Sequence, residues 1–217
     1  VSSLSYKYQG VKNLMPVTIN GDGSITGLSV GGLGSGVVNT ATLADGAATA
    51  VKRGSGSILQ VQSTLKTDSS NFTLSGGALS SILFSVNITP SSASNKILIH
   101  AHCSVGLHSD SEGQFSMELT KGGSSYTTLA GDAYGSSSRV LAVAYAGEGN
   151  QMVYDQQTIA ATVMDTGGST SAITYGIAVR LRDNGSCEGR INRHTAGDQN
   201  GWDFMPTSGI TVMEIAA

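Results

Sequence analysis

The sequence predicts an all-β protein, with an antiparallel, jelly-roll-like β-sandwich head at 58–217 preceded by an extended N-terminal arm or stalk at 1–57. Three observations carry that reading. From Ser57 onward large apolar residues recur at alternate positions, the period of a strand with one buried face. Clusters of Gly, Ser, Asn and Asp interrupt these runs, and no long stretch has the period of an amphipathic helix. Before Gly54–Gly56 the chain is rich in Gly, Ser, Thr and Ala and nearly free of large side chains.

Within the arm, Ser5–Tyr8 and Met15–Asn20 read as short strands. Asn20-Gly-Asp-Gly23 is a turn signal, because Asn-Gly and Asp-Gly supply the positive φ that tight turns need. Ile25, Leu28, Val30 and Leu33 follow, spaced by small residues, and Thr42–Lys52 reads as a short helix with Leu43, Ala47, Ala48 and Val51 on one face. So few apolar side chains do not offset an ordering entropy of about 1–2 kcal/mol per residue. An ordered arm therefore needs a core borrowed from neighbouring copies, which makes a homotrimer the expected assembly.

In the head, Leu59, Val61 and Leu65 face one way and Gln60, Gln62, Thr64 and Lys66 the other. Ile82, Phe84, Val86 and Ile88 alternate with Leu83, Ser85, Asn87 and Thr89, and a loop is expected at Pro90–Asn95. Ile97, Ile99, Ala101, Cys103 and Val105 oppose Lys96, Leu98, His100, His102 and Ser104. Phe115, Met117 and Leu119 lead to a turn at Lys121-Gly-Gly-Ser124. Further strands are expected at Val140–Tyr145, Gln157–Met164, Ile173–Leu181, Glu188–Asn192 and Ile210–Ile215, with a hairpin at Asp183-Asn-Gly-Ser186 and a surface loop over Arg193–Gly209.

Charged residues make up 12% of the chain, against roughly 25% in an average soluble protein. The hydrophobic share is still 39%, so the deficit reflects a surface of Ser, Thr, Gly and Asn and not a disordered polyelectrolyte. Residues 1–57 carry four bases and two acids, the rest eight bases and thirteen acids. A mildly acidic head offers no footprint for a phosphate backbone, so no nucleic-acid partner is expected. No segment has the roughly 20 apolar residues of a membrane helix, and no membrane insertion is expected. The N-terminus lacks the layout of a secretory signal, and the three sequons at Asn71, Asn87 and Asn184 read as chance in a Ser/Thr-rich chain. Cys103 and Cys187 read as buried thiols.

Motifs for catalysis are missing. Gly32-Leu-Gly-Ser-Gly36 only superficially resembles a nucleophile elbow, because it lies in the thin segment without His or Asp partners. There is no P-loop, and thirteen scattered acids in the head single out no carboxylate pair. No enzyme activity and no cofactor are expected. His100-Ala-His102 projects two imidazoles to one face of a strand, below the four ligands of zinc or the six of octahedral iron; three copies supply six, so these residues are metal ligands only if three copies meet on an axis. Otherwise they are ordinary histidines of a polar face. His108-Ser-Asp-Ser-Glu-Gly113 reads as a solvated loop. Tyr126, Tyr134, Tyr145, Tyr154 and Trp202 lie near polar loops, and an aromatic face beside amides and carboxylates is the recipe for gripping a sugar. Of these, Tyr126, Tyr134, Tyr154 and Trp202 are the glycan-contact candidates, with loop anchoring or subunit contact as the alternative role.

Several stretches together resemble small virion-surface proteins of tailed phages that infect aquatic bacteria, cyanophages included, often labelled tail fibre. They are Ile19–Leu33, Leu43–Ala47, Lys52–Val61, Ile88–Ser92 with Asn95–Leu98, Gly131–Ala133, Ile191–Arg193 and Ile210–Ala217. The resemblance implies a homotrimer at the virion surface, assembled in the host cytoplasm, with the N-terminal segment attached to other virion proteins and a distal sandwich. It leaves two functions open. One is a fibre-like appendage binding host surface polysaccharide; the other is a capsid decoration protein whose arm clamps capsid subunits. A glycan-cleaving spike is disfavoured because the chain has no solenoid period.

Overall fold

The computed structural model describes residues 53–75, 77–108, 113–146, 155–182, 186–194 and 204–217, together with the backbone of 18–19 and 25–26. The chain divides into two units, Val1–Thr49 and Ala50–Ala217. In the first, β1 (Thr18–Ile19) and β2 (Ile25–Thr26) pair antiparallel, with Ile19 opposite Ile25. The expected strand at Ser5–Tyr8 and helix at Thr42–Lys52 lie outside the described residues.

The second unit is all-β and sandwich-like. Its six-stranded sheet contains β3 (Ile58–Lys66), β4 (Ser70–Ser75), β6 (Lys96–His108), β10 (Gln157–Thr166), β12 (Ser186–Ile191) and β13 (Ser208–Ile215). Its five-stranded sheet contains β5 (Phe84–Ile88), β7 (Gly113–Lys121), β8 (Ser124–Ser125), β9 (Ala142–Ala146) and β11 (Ile173–Leu181). All the pairings are antiparallel. β6 is long because it serves two partners along one side: its first half pairs with β13 and its last residues with β12. β10 lies along its other side.

Alternation selects the core. Ile97, Ile99, Ala101, Cys103, Val105 and Leu107 of β6 meet Phe115, Met117, Leu119, Tyr175, Ile177 and Val179 of the other sheet in one buried cluster. Each such side chain contributes about 1.5–3 kcal/mol when fully removed from water. Both cysteines are buried and unbridged, and burial pushes their thiols up to about 12 at Cys103 and about 11 at Cys187. The turn at Lys121–Ser124 forms as expected: Gly122 and Gly123 both take positive φ, the geometry a two-residue hairpin requires.

Other expectations are corrected. Residues 183–185 of the expected hairpin lie outside the described residues, but the strands on either side do not pair with each other: β11 belongs to the five-stranded sheet and β12 to the six-stranded one. Ser208 and Gly209 belong to β13 and not to a surface loop; both are buried. β4 is an additional strand that brings Phe72 and Leu74 into the core. On β3 the polar set turns inward. Gln60 donates to Thr89 O at 2.7 Å and Thr64 to Ser85 O at 2.8 Å, so an edge strand of one sheet satisfies carbonyls along the edge of the other. Val61 and Leu65 consequently point outward.

Two buried polar knots fix the ends of these strands. Glu214 is fully buried, and its carboxylate accepts from Ser91 N and Oγ, Asn95 Nδ2 and Gln60 Nε2 at 2.6–2.8 Å. Asn95 Oδ1 in turn accepts from Ala217 N at 3.1 Å. Asn192 stands in the left-handed region at φ 61, a conformation asparagine tolerates better than most residues. Its Nδ2 donates to Lys66 O and Asp68 O, and its Oδ1 accepts from Ser208 Oγ at 2.6 Å. The segment that follows crosses Gly106, where a Cβ would lie 2.6 Å from Arg193 O, so that position is closed to a side chain. The junction at Gly54–Gly56 is tied to the far end of the chain, with Gly56 N donating to Ala216 O and Ala216 N to Ser57 O, each at 2.9 Å.

Candidate functional site

The outer face of the five-stranded sheet carries an open cleft of about 330 Å³. Its floor comes from the polar positions of β7 and β11. Arg180 stands opposite Ser116 in the strand register, and Gln114 opposite Tyr145 of β9. The wall is the 131–140 loop, which contributes Ser137, Ser138 and Val140. That loop is closed at its neck, where Gly131 N donates to Val140 O and Arg139 Nε donates to Gly131 O at 2.6 Å. A loop clipped in this way holds its serines against the sheet without a core of its own.

Electrostatically the cleft is balanced at its base. Arg180 reaches Glu118 with two nitrogens, Nε to Oε1 at 2.5 Å and Nη2 to Oε2 at 3.3 Å, and its Nη1 donates to Gly77 O. Ser125 Oγ donates to the same carboxylate at 3.0 Å. Glu118 is buried, so this forked pairing keeps its charge compensated. The hydrogen bond to Glu118 moves the Arg180 guanidinium further up, so it stays charged. Arg182 adds a second, exposed guanidinium beside it, and Arg182 N donates to Gln114 O at 2.9 Å. Hydroxyls, a side-chain amide and guanidinium groups on an open shelf suit reversible hydrogen bonding to a polyhydroxylated ligand.

The expected aromatic contacts separate. Tyr134 is 84% exposed and sits on the same loop as the two lining serines, its carbonyl accepting from Ser137 N. Tyr145 is partly exposed at the cleft margin through its pairing with Gln114. Tyr126 packs against the core, and its hydroxyl donates to Asp165 Oδ1 at 2.8 Å. Tyr154 and Trp202 lie outside the described residues.

Asp165 itself is a buried carboxylate of β10 held by groups of the other sheet: Tyr175 OH at 2.6 Å and Lys121 Nζ at 2.7 Å, besides Tyr126. Burial pushes it up, but Lys121, Tyr175 and Tyr126 outweigh burial and leave it below the usual carboxylate range. Burial and the neighbouring carboxylate push both tyrosines up. The cluster joins the two layers.

His100 and His102 share the outer face of the six-stranded sheet, as the spacing requires. His100 Nδ1 lies 2.8 Å from Thr162 Oγ1, and the His102 ring lies beside Gly209. Among the described residues no three His, Cys, Asp or Glu side chains converge on a metal-sized site. One chain thus brings two imidazoles to this face. Of the His108–Gly113 stretch, His108 ends β6 and Gly113 opens β7, while 109–112 lie outside the described residues.

No protein-family model matches the chain. No curated protein matches it either.

Proposed function

We propose that this chain is a structural protein of the virion surface of a tailed phage, assembled as a homotrimeric, fibre-like appendage. In this reading residues 1–57 attach to other virion proteins, and the jelly-roll-like head binds host surface polysaccharide in the cleft beside the 131–140 loop. It acts by binding and not by catalysis. The observation that carries the binding role is the cleft itself: an open shelf of about 330 Å³, within the size range of small-ligand sites, lined by Gln114, Ser116, Ser138 and two arginines. The Ser/Thr/Gly-rich, weakly charged surface suits a protein that works outside the crowded, charged interior of nucleic-acid machinery.

The labelled full chain, tested on an array of bacterial surface polysaccharides, is expected to bind a subset of them. Ser138→Trp places an indole in the cleft from an exposed loop position and is expected to weaken that binding at least about tenfold, equivalent to 1.4 kcal/mol, without moving thermal unfolding. Binding that survives Ser138→Trp unchanged rejects the cleft as the site. Particle imaging with the chain labelled distinguishes the appendage from a capsid decoration protein with a clamping arm: density at the tail supports the first, density spread over the capsid the second.

A further inference from the structure

The six-stranded sheet leaves an outer face that no described segment covers. Its rows follow from the register. Val61, Met213, Leu98 and Met164 form one continuous row across β3, β13, β6 and β10. Ser63, Thr211, His100 and Thr162 form the next, and Leu65, Gly209, His102 and Ala160 the one after. Ile58 and Ile215 extend the apolar end. Val61 is 50% exposed, Leu65 62%, Met164 51% and Ile58 50%. These are large apolar side chains grouped on one flat surface, whereas scattered apolar residues need no explanation.

We infer that copies of this chain meet through this face. Two copies stacked on this face are related by a two-fold axis, so the contact is additional to the three-fold assembly proposed above. Two physical quantities select a second copy as the occupant. The first is area. Four strands about 4.8 Å apart and nine residues at about 3.3 Å each span about 570 Å². Two such faces bury about 1,100 Å² together, above the roughly 1,000 Å² that separates specific interfaces from adventitious ones. The second is charge. Across these rows the formal charge is confined to Lys96 at one end, so identical faces approach without the like-charge repulsion that two acidic or two basic surfaces would meet. An apolar centre with Ser, Thr and His around it matches the mixed composition of subunit interfaces. β6 is interior to the sheet, so His100 and His102 fall at the middle of the contact.

Sedimentation equilibrium of the full chain tests this, with Val61→Lys/Met164→Lys as the disrupting variant and Ser85→Lys, on the opposite sheet, as the charge control. The wild type and the control are expected to sediment as the same oligomer. The double variant is expected to self-associate at least about 100-fold more weakly, because like charges then face each other across an apolar contact. A double variant that keeps the wild-type mass overturns the choice of face while leaving the trimer intact. A wild type that sediments as a monomer or as a single trimer overturns the face-to-face contact, and the monomer overturns the trimer as well. Should the double variant misfold, peroxide oxidation of wild-type Met164 followed by mass spectrometry gives the answer. Protection in the oligomer with release on dilution supports the contact; equal oxidation in both states, or protection only on adding another protein or a glycan, overturns it.

Discussion

Replacing Asp165 with alanine is expected to destabilise the head by about 3–5 kcal/mol, the usual consequence of removing one member of a buried ionic cluster. The carboxylate lies on β10 of one sheet, and all three of its side-chain partners come from the other sheet or from Tyr126, which directly follows β8 of that sheet. Without it the Lys121 ammonium is left mostly buried with no counter-charge, and the Tyr175 hydroxyl, in a residue with no exposed surface, loses its acceptor. Asp165→Asn keeps the volume and one acceptor oxygen, so its cost is expected to be smaller. Tyr175→Phe alone should cost about 1–3 kcal/mol. The double variant should cost less than the sum, since the two groups share one contact. Urea unfolding of the wild type and the four variants gives all these values. A change below about 1 kcal/mol for Asp165→Ala would show that the two sheets do not depend on this junction.

The second large effect concerns Glu214 and acid. Burial pushes its carboxyl up, but donors from Asn95, Gln60 and Ser91 outweigh that effect and hold it down at about 2, against an ordinary 4.5. A folded-state value below the unfolded one means the group stabilises above pH 4.5 and loses that contribution as pH falls toward 2. The span corresponds to about 3 kcal/mol. Glu214→Gln should remove this part of the acid sensitivity. It should also cost about 3 kcal/mol at neutral pH, because its amide would present hydrogens to donors already in place. Unfolding measured at pH 7, 4 and 2.5 checks both statements. An unchanged pH slope in the variant would assign the acid sensitivity to other carboxylates.

Strand existence was legible in the sequence wherever large apolar residues fall at alternate positions and share the core face. Phe84–Ile88, Ile97–Val105, Phe115–Leu119 and Ile173–Leu181 read correctly for that reason. β4 was missed because its two apolar residues, Phe72 and Leu74, stand between serines and an asparagine that also read as turn residues. The hairpin at Asp183–Ser186 failed for a different cause: turn chemistry says that the chain reverses, not which layer receives the next strand. Nothing local in the sequence marks Asn95, Asn192 and Glu214 as buried, yet each is buried because distant strands supply its partners. The cleft was hidden for the same reason. Gln114, Ser116, Arg180 and Arg182 occupy the polar phase of two strands distant in sequence, and only the β7–β11 pairing brings them to one shelf. The one local hint was a pair of arginines two apart in a chain with few bases. The His100/His102 face, in contrast, follows directly from the two-residue period.

The most direct test of the proposed binding role is a crystal structure of the full chain soaked with the oligosaccharide that binds best on the array. The expected result is a sugar ring seated between Ser138 and the Gln114–Arg182 shelf, with Tyr134 or Tyr145 against one of its faces. A sugar found elsewhere on the molecule, with this cleft open and solvent-filled, would contradict the assignment.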